Sequence, residues 1–190
     1  MMFSYPCWIR FQGRTLGLIW QSEDGTGDSD EDTDRFLTDG GRIVSASTVE
    51  DLLALAGRHG LELETAIDPE CGIDTPQDLD GLEALLELAV SDDTCAQLLN
   101  AWNLFADIAR SVGATLDDRG PKASKCYDKV FYGNNLECIT PAGEHYSPDF
   151  SASEQRLIAE ILNRGRTILA SRLQVDPETE HTPEQPHRNQ

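Results

Sequence analysis

The chain has 190 residues, with 34 acidic side chains against 15 basic ones and a formal charge of −19 at pH 7. That length supports one domain whose core folds without staples, and that charge repels nucleic acid and anionic membranes while either attracting basic partners or serving solubility alone. No run of about 18 apolar residues is available to span a bilayer, and MMFSYPCWIRFQ lacks a long apolar run behind a basic start, so no secretory signal is expected and a cytoplasmic location is.

Residues 7–21, CWIRFQGRTLGLIWQ, alternate apolar and polar about Gln12-Gly13 and predict a β-hairpin, although its turn is not the favoured Asn-Gly. Cys7, Ile9 and Phe11 share one face of the first strand, and Leu16, Leu18 and Trp20 one face of the second. Residues 22–35, SEDGTGDSDEDTDR, contain no apolar residue and predict a solvated acidic loop. An alignment of Asp28, Asp30, Asp32, Asp34 and Asp39 to a calcium loop fails, because Thr33 stands at the required glycine and Asp39 at the required glutamate.

Residues 42–46 read as a short strand. Ser47 with Glu50 suggests a capping box, followed by a helix face of Val49, Leu52, Leu53, Leu55 and Ala56 that ends at Gly60. Leu61, Leu63, Thr65 and Ile67 alternate as a further strand, so residues 42–68 predict a β-α-β segment. Residues 69–77 read as a loop, and 79–90 as a helix with Leu82, Leu85, Leu86 and Ala89 on one side.

A third helix, 93–112, is the centre of the expected fold. Cys95, Leu98, Leu99, Trp102, Phe105, Ala106, Ala109 and Val112 recur at helical spacing, and Ala101, Leu104 and Ile108 widen the apolar arc, so other elements must cover it from several sides. Ser91 and Asp92 can cap its start and Gly113 its end. Asn100, Asn103 and Asp107 interrupt it, either at a solvent edge or in a buried polar network.

Residues 114–125 are polar and turn-rich. The following 126–151 mix Tyr127, Phe131, Tyr132, Tyr146 and Phe150 with polar groups, and Pro141, Gly143 and Pro148 predict mostly irregular backbone, clamped to the core by aromatics or used in function. Ser151 and Glu154 form a capping box opening a helix over 152–173, whose buried face is Leu157, Ile158, Ile161, Leu162, Gly165, Ile168 and Leu169. Gly165 allows close approach to the central helix, at a propensity cost of about 1 kcal/mol. Residues 174–190 are polar and proline-rich and predict a disordered tail beyond a single domain of 1–173.

Chemistry is hard to find. The five cysteines (Cys7, Cys71, Cys95, Cys126 and Cys138) form no CxxC pair and the four histidines no HExxH, so free thiols in a reducing compartment are expected, with no metal and no cofactor. No nucleotide-binding loop, nucleophile elbow or kinase signature is present. His145 with Glu144 or Asp149, and Cys126 or Cys138 as nucleophile, is the alternative that would make the protein a hydrolase or transferase.

Three stretches, DGGRIVSASTVEDLLALA (39–56), LLNAWNLFADIARSVG (98–113) and YDKVFYGNNLECITPAGEHYSPDFSASE (127–154), resemble small bacterial immunity proteins of polymorphic toxins, including contact-dependent growth inhibition systems. The resemblance implies a cytoplasmic non-enzyme that binds a cognate toxin domain and blocks its active site. Many such toxins are nucleases with basic clefts, which an anionic protein can fill with association steered to about 10⁸–10⁹ M⁻¹s⁻¹. Tight protection needs an interface of about 1,200–2,000 Å² and apolar anchors beside the charge. Charge and expected exposure nominate Glu23, Asp24, Asp28, Asp30, Glu31, Asp32 and Asp34 as the cleft-facing set, with Asp68, Glu70, Asp74 and Asp78 as a second acidic group. A third possibility is an acidic adaptor without a toxin partner. The expected fold is α+β, with a small, mainly antiparallel N-terminal sheet packed on helices 79–90, 93–112 and 152–173, the middle one buried.

Overall fold

The computed structural model describes residues 2–23, 34–64, 75–87 and 90–175. Strands β1 (Met2–Phe11) and β2 (Arg14–Glu23) pair antiparallel from Met2↔Glu23 to Phe11↔Arg14, a longer hairpin than residues 7–21 suggest. Both turn residues are left-handed, Gln12 at φ 52 and Gly13 at φ 70, as a two-residue turn with the twist of its strands requires.

The hairpin buries both faces. Ile9, Phe11, Leu16 and Leu18 enter the main core, with Cys7 and Trp20 packed at its margin. On the opposite face, Trp8 and Ile19 meet Val44, Ala46, Leu52, Leu55 and Ala56 in a second cluster. A Cβ at Gly17 would come within 2.8 Å of the Trp8 ring, so the glycine admits the indole across the strand.

Short strands complete two sheets. β3 (Arg35–Phe36) pairs with β2, and the first sheet also gains Gln77–Asp78, giving the order β3-β2-β1-β6 with that last strand, β6, parallel to β1. The second sheet is β4 (Thr38–Asp39), β5 (Arg42–Ser45) and β7 (Leu173–Val175), in the order β4-β5-β7. Reciprocal backbone bonds between Gly17 and Ala46, at 2.8 and 2.9 Å, tie the sheets together. The sheet thus reaches Gln174 and Val175, two residues into the segment read as tail.

Helix α1 (Val49–Arg58) starts one residue later than its sequence signal: Thr48, not Ser47, is the cap, and its hydroxyl accepts from the Asp51 N–H at 3.1 Å. Gly60 at φ +66 ends it as expected. The β-α-β expectation fails. Both sides of β5 are taken by β4 and β7, and Leu63 instead bridges Ser4 of β1. Thr65 and Ile67 lie outside the described residues. The helix expected over 79–90 is reduced to α2 (Leu82–Leu85), because Gln77 and Asp78 are drawn into the sheet and Leu79 is buried just after them. Ala89 lies outside the described residues.

Helix α3 (Asp92–Ser111) is the central element, capped by Ser91 and closed by Gly113 at φ +65, and both its apolar stripes are buried or half-buried. It packs on α2, on β3, and on two further helices: α4 (Pro121–Gly133) and α5 (Ala152–Arg172). α4 departs from the irregular reading of this region. Pro121 occupies the first turn, where a missing N–H costs nothing, and Ala123, Cys126 and Val130 bury at helical spacing. Residues 134–150 carry no helix or strand, as expected. α5 has the expected capping box. A Cβ at Gly165 would overlap the Phe105 ring, so this glycine sets how closely α5 approaches α3.

The architecture is α+β: mainly antiparallel strands, all but β7 from the N-terminal half, packed against helices around a buried α3. Among the described residues no helix is long and apolar enough to cross a membrane.

Candidate functional site

Gln21 of β2 pairs with Arg35 of β3, so the described residues that flank the acidic run in sequence lie side by side. Glu23 is exposed at the end of β2. Asp34 is half-buried, and its carbonyl accepts from Arg110 Nη1 at 2.6 Å, which anchors the returning strand to α3. Phe36 N donates to Ser111 Oγ at 2.7 Å beside it. Asp24, Asp28, Asp30, Glu31 and Asp32 lie outside the described residues, as do Asp68, Glu70 and Asp74.

Asp78 is less free than its charge suggested. Its Oδ1 accepts from Asp80 N at 2.9 Å and Gly81 N at 3.3 Å, closing the turn into α2. Asp80, which sequence reasoning passed over, accepts from Gln12 N at 2.7 Å and Gly13 N at 2.8 Å. Its carboxylate therefore holds the hairpin tip, and no local spacing could reveal a partner so distant in sequence.

Cys126 is a poor nucleophile. It is buried on the inner side of α4, and burial with the nearby Glu154 carboxylate pushes its thiol up. Cys7 is pushed up to about 11 by burial and by Asp107. Cys138 is exposed, but the contacts of His145 lead elsewhere: Nε2 lies 2.9 Å from Asp92 Oδ1, and Nδ1 lies 3.4 Å from Ser147 Oγ. These are the residue types of a hydrolytic triad with the ring nitrogens exchanged, since a triad sets its serine on Nε2 and its carboxylate on Nδ1. Their setting differs, because His145 is 58% and Asp92 50% exposed, and water competes for each bond. Among the described residues no group of three or more His, Cys, Asp or Glu could hold a metal ion.

Asn135 organises this region. At φ 50, its Oδ1 accepts from Tyr146 N at 2.8 Å, while Nδ2 donates to Tyr146 O at 2.9 Å and Asp92 Oδ1 at 3.0 Å. One amide thus fastens residues 134–146 to the start of α3. A Cβ at Gly133 would strike Cys95 Sγ and Pro148, both at 2.7 Å, so the end of α4 is pressed against α3 and the returning chain.

An aromatic series runs outward from the core. Trp102 meets Tyr127 edge-on at 5.6 Å, Tyr127 stacks on Phe131 at 6.3 Å, and Phe131 meets Tyr132 edge-on at 5.3 Å. Tyr127 Oη donates to Asn103 Oδ1 at 3.0 Å, which places Asn103 at a solvent edge. Asp107 is partnered too, accepting from Trp20 Nε1 at 3.1 Å and Arg110 Nη1 at 2.8 Å. The first part of the series clamps α4 to the core, and the last ring is released to water: Tyr132 is 55% exposed.

Tyr132 and Tyr146 line an open cavity of about 450 Å³ with Thr140, Pro141, Glu144 and His145. Leu136 and Ile139 are exposed on the adjoining turn, closed by bonds from Ile139 N and Thr140 N to Leu136 O. Sequence reasoning named both tyrosines in this segment, but could not separate them from Tyr127, Phe131 and Phe150, which pack against the core.

No family model matches the sequence, and no curated protein matches it. Among solved structures, the chain is similar to the C-terminal domain of SatS, described in complex with bromine. The identity is 18%, the likeness covers 91% of this chain and 94% of that one, and the TM-score is 0.51. At this identity the likeness is one of fold.

Proposed function

We propose that the chain is an immunity protein, a cytoplasmic non-enzyme that neutralises a basic toxin domain of the nuclease class by filling its cationic cleft. The observation that carries this reading is the acidic segment between the paired residues Gln21 and Arg35. Seven carboxylates and no basic side chain lie between them. A cleft built for phosphates attracts such a segment at long range. The sequence resemblance over 39–56, 98–113 and 127–154 supports the same class.

The test is co-expression and kinetics with the toxin domain encoded beside this chain. Growth is rescued and a one-to-one complex forms. Replacing Glu23, Asp24, Asp28, Asp30, Glu31, Asp32 and Asp34 by their amides slows association at least about tenfold and changes dissociation less. A wild-type chain that ignores the toxin sinks the reading, and unchanged association in the neutralised variant removes the segment from it.

A further inference from the structure

The acidic segment supplies charge, but it contains no apolar side chain, and charge alone rarely gives a long-lived complex. The surface at the end of α4 has the complementary properties. Tyr132, Leu136, Ile139 and Tyr146 are each between 42% and 55% exposed, although they belong to a segment otherwise pinned by Asn135, Gly133 and Pro148. Exposed tyrosines on a fastened backbone lose little entropy on docking, and tyrosine is enriched among the residues that dominate interfaces. Carboxylates lie along this segment, and Lys129, a cation near Tyr146, is held in an ion pair with Glu154. Glu144 lines the cavity, Asp92 fastens its edge, Glu137 lies within the turn, and Asp128 precedes Tyr132 by one helical turn on the same face of α4.

We propose that this surface is an anchoring site for a cationic protein segment that inserts an aromatic or aliphatic side chain between Tyr132 and Tyr146 and sets basic side chains against Asp92, Asp128, Glu137 and Glu144. It rests on the protein-binding reading above and adds to it a second point of attachment. Charge decides the occupant. A second copy would bring another −19 body against the acidic rim, and an anionic membrane is repelled in the same way. A cationic segment gains both from the rim and from burying the rings. The acidic segment governs the encounter, and the tyrosine surface governs residence.

The experiment has two arms on the full chain. In the first, amide NMR signals are followed during titration with an arginine–tryptophan peptide and with an arginine–alanine peptide of equal charge. The tryptophan peptide shifts residues 132–146 at concentrations at least about tenfold lower, and that advantage disappears in Tyr132→Ala/Tyr146→Ala. Leu53→Ala, which truncates an equally exposed apolar residue on α1, leaves it intact. Equal, diffuse shifts with both peptides, or self-association through these residues, overturn the proposal. In the second arm the toxin domain replaces the peptides, and Tyr132→Ala/Tyr146→Ala raises its dissociation rate about 30-fold or more. A bound toxin with an unchanged dissociation rate overturns the anchor and leaves the immunity reading standing. A chain that passes the peptide arm and ignores the toxin does the reverse.

Discussion

The Glu154 carboxylate accepts from Lys129 Nζ at 2.9 Å, from Ser151 N at 2.9 Å and from the Ser151 hydroxyl at 2.9 Å. The Lys129 bond first, and then the bonds from Ser151, lower its pKa from 4.5 to about 2. Because the folded value lies below the unfolded one, its stabilisation is complete above about pH 4.5 and is lost as pH falls toward about 2. Glu154→Gln is expected to be about 1–2 kcal/mol less stable than wild type at neutral pH. In urea denaturation the gap narrows across that acidic window, and a gap independent of pH would contradict the assignment. The pair also joins α4 to the start of α5.

At the scale of elements, the contact between α3 and α5 turns on Gly165. Alanine would normally gain about 1 kcal/mol in a helix. Here its Cβ would overlap the Phe105 ring, a group buried at the centre of α3. Gly165→Ala should therefore destabilise by about 1–3 kcal/mol, read as a lowered denaturation midpoint with an unchanged slope. A neutral or stabilising result would mean that the helices can separate without cost. The same close approach was legible in the sequence as a glycine on an apolar helix face, whereas α4 was not, since it begins in the polar, turn-rich stretch 114–125 and ends at the turn-forming Gly133-Asn134. Its apolar residues form a stripe only once Cys126 is counted as core.

Across the whole molecule, an excess of 19 negative charges opposes compaction. Raising ionic strength from about 0.01 M to about 0.15 M shortens the screening length from about 30 Å to about 8 Å. The melting temperature should rise over that range, because the described ion pairs are mostly at the surface and lose little. A fall would place more stability in those pairs than their exposure allows. Under the proposed immunity reading the same salt change slows toxin association, so stability and encounter rate respond in opposite directions.

The periodicity of residues 93–112 and 152–173, the alternation about Gln12-Gly13 and the capping pair Ser151–Glu154 determined the main helices and the hairpin by themselves, because each is a local pattern of burial and hydrogen bonding. Charge by itself left a cationic partner and simple solubility equally open. Tertiary structure alone decided that Asp80 grips the hairpin tip, that residues 61–64 join β1 instead of β5, that Leu173–Val175 close the second sheet, and that Tyr132 and Tyr146 face water while Tyr127 and Phe131 turn to the core. Each of these joins residues far apart in the chain or chooses between two faces of one segment. A side chain's identity shows that it can be buried, and only the elements packed around it settle whether it is.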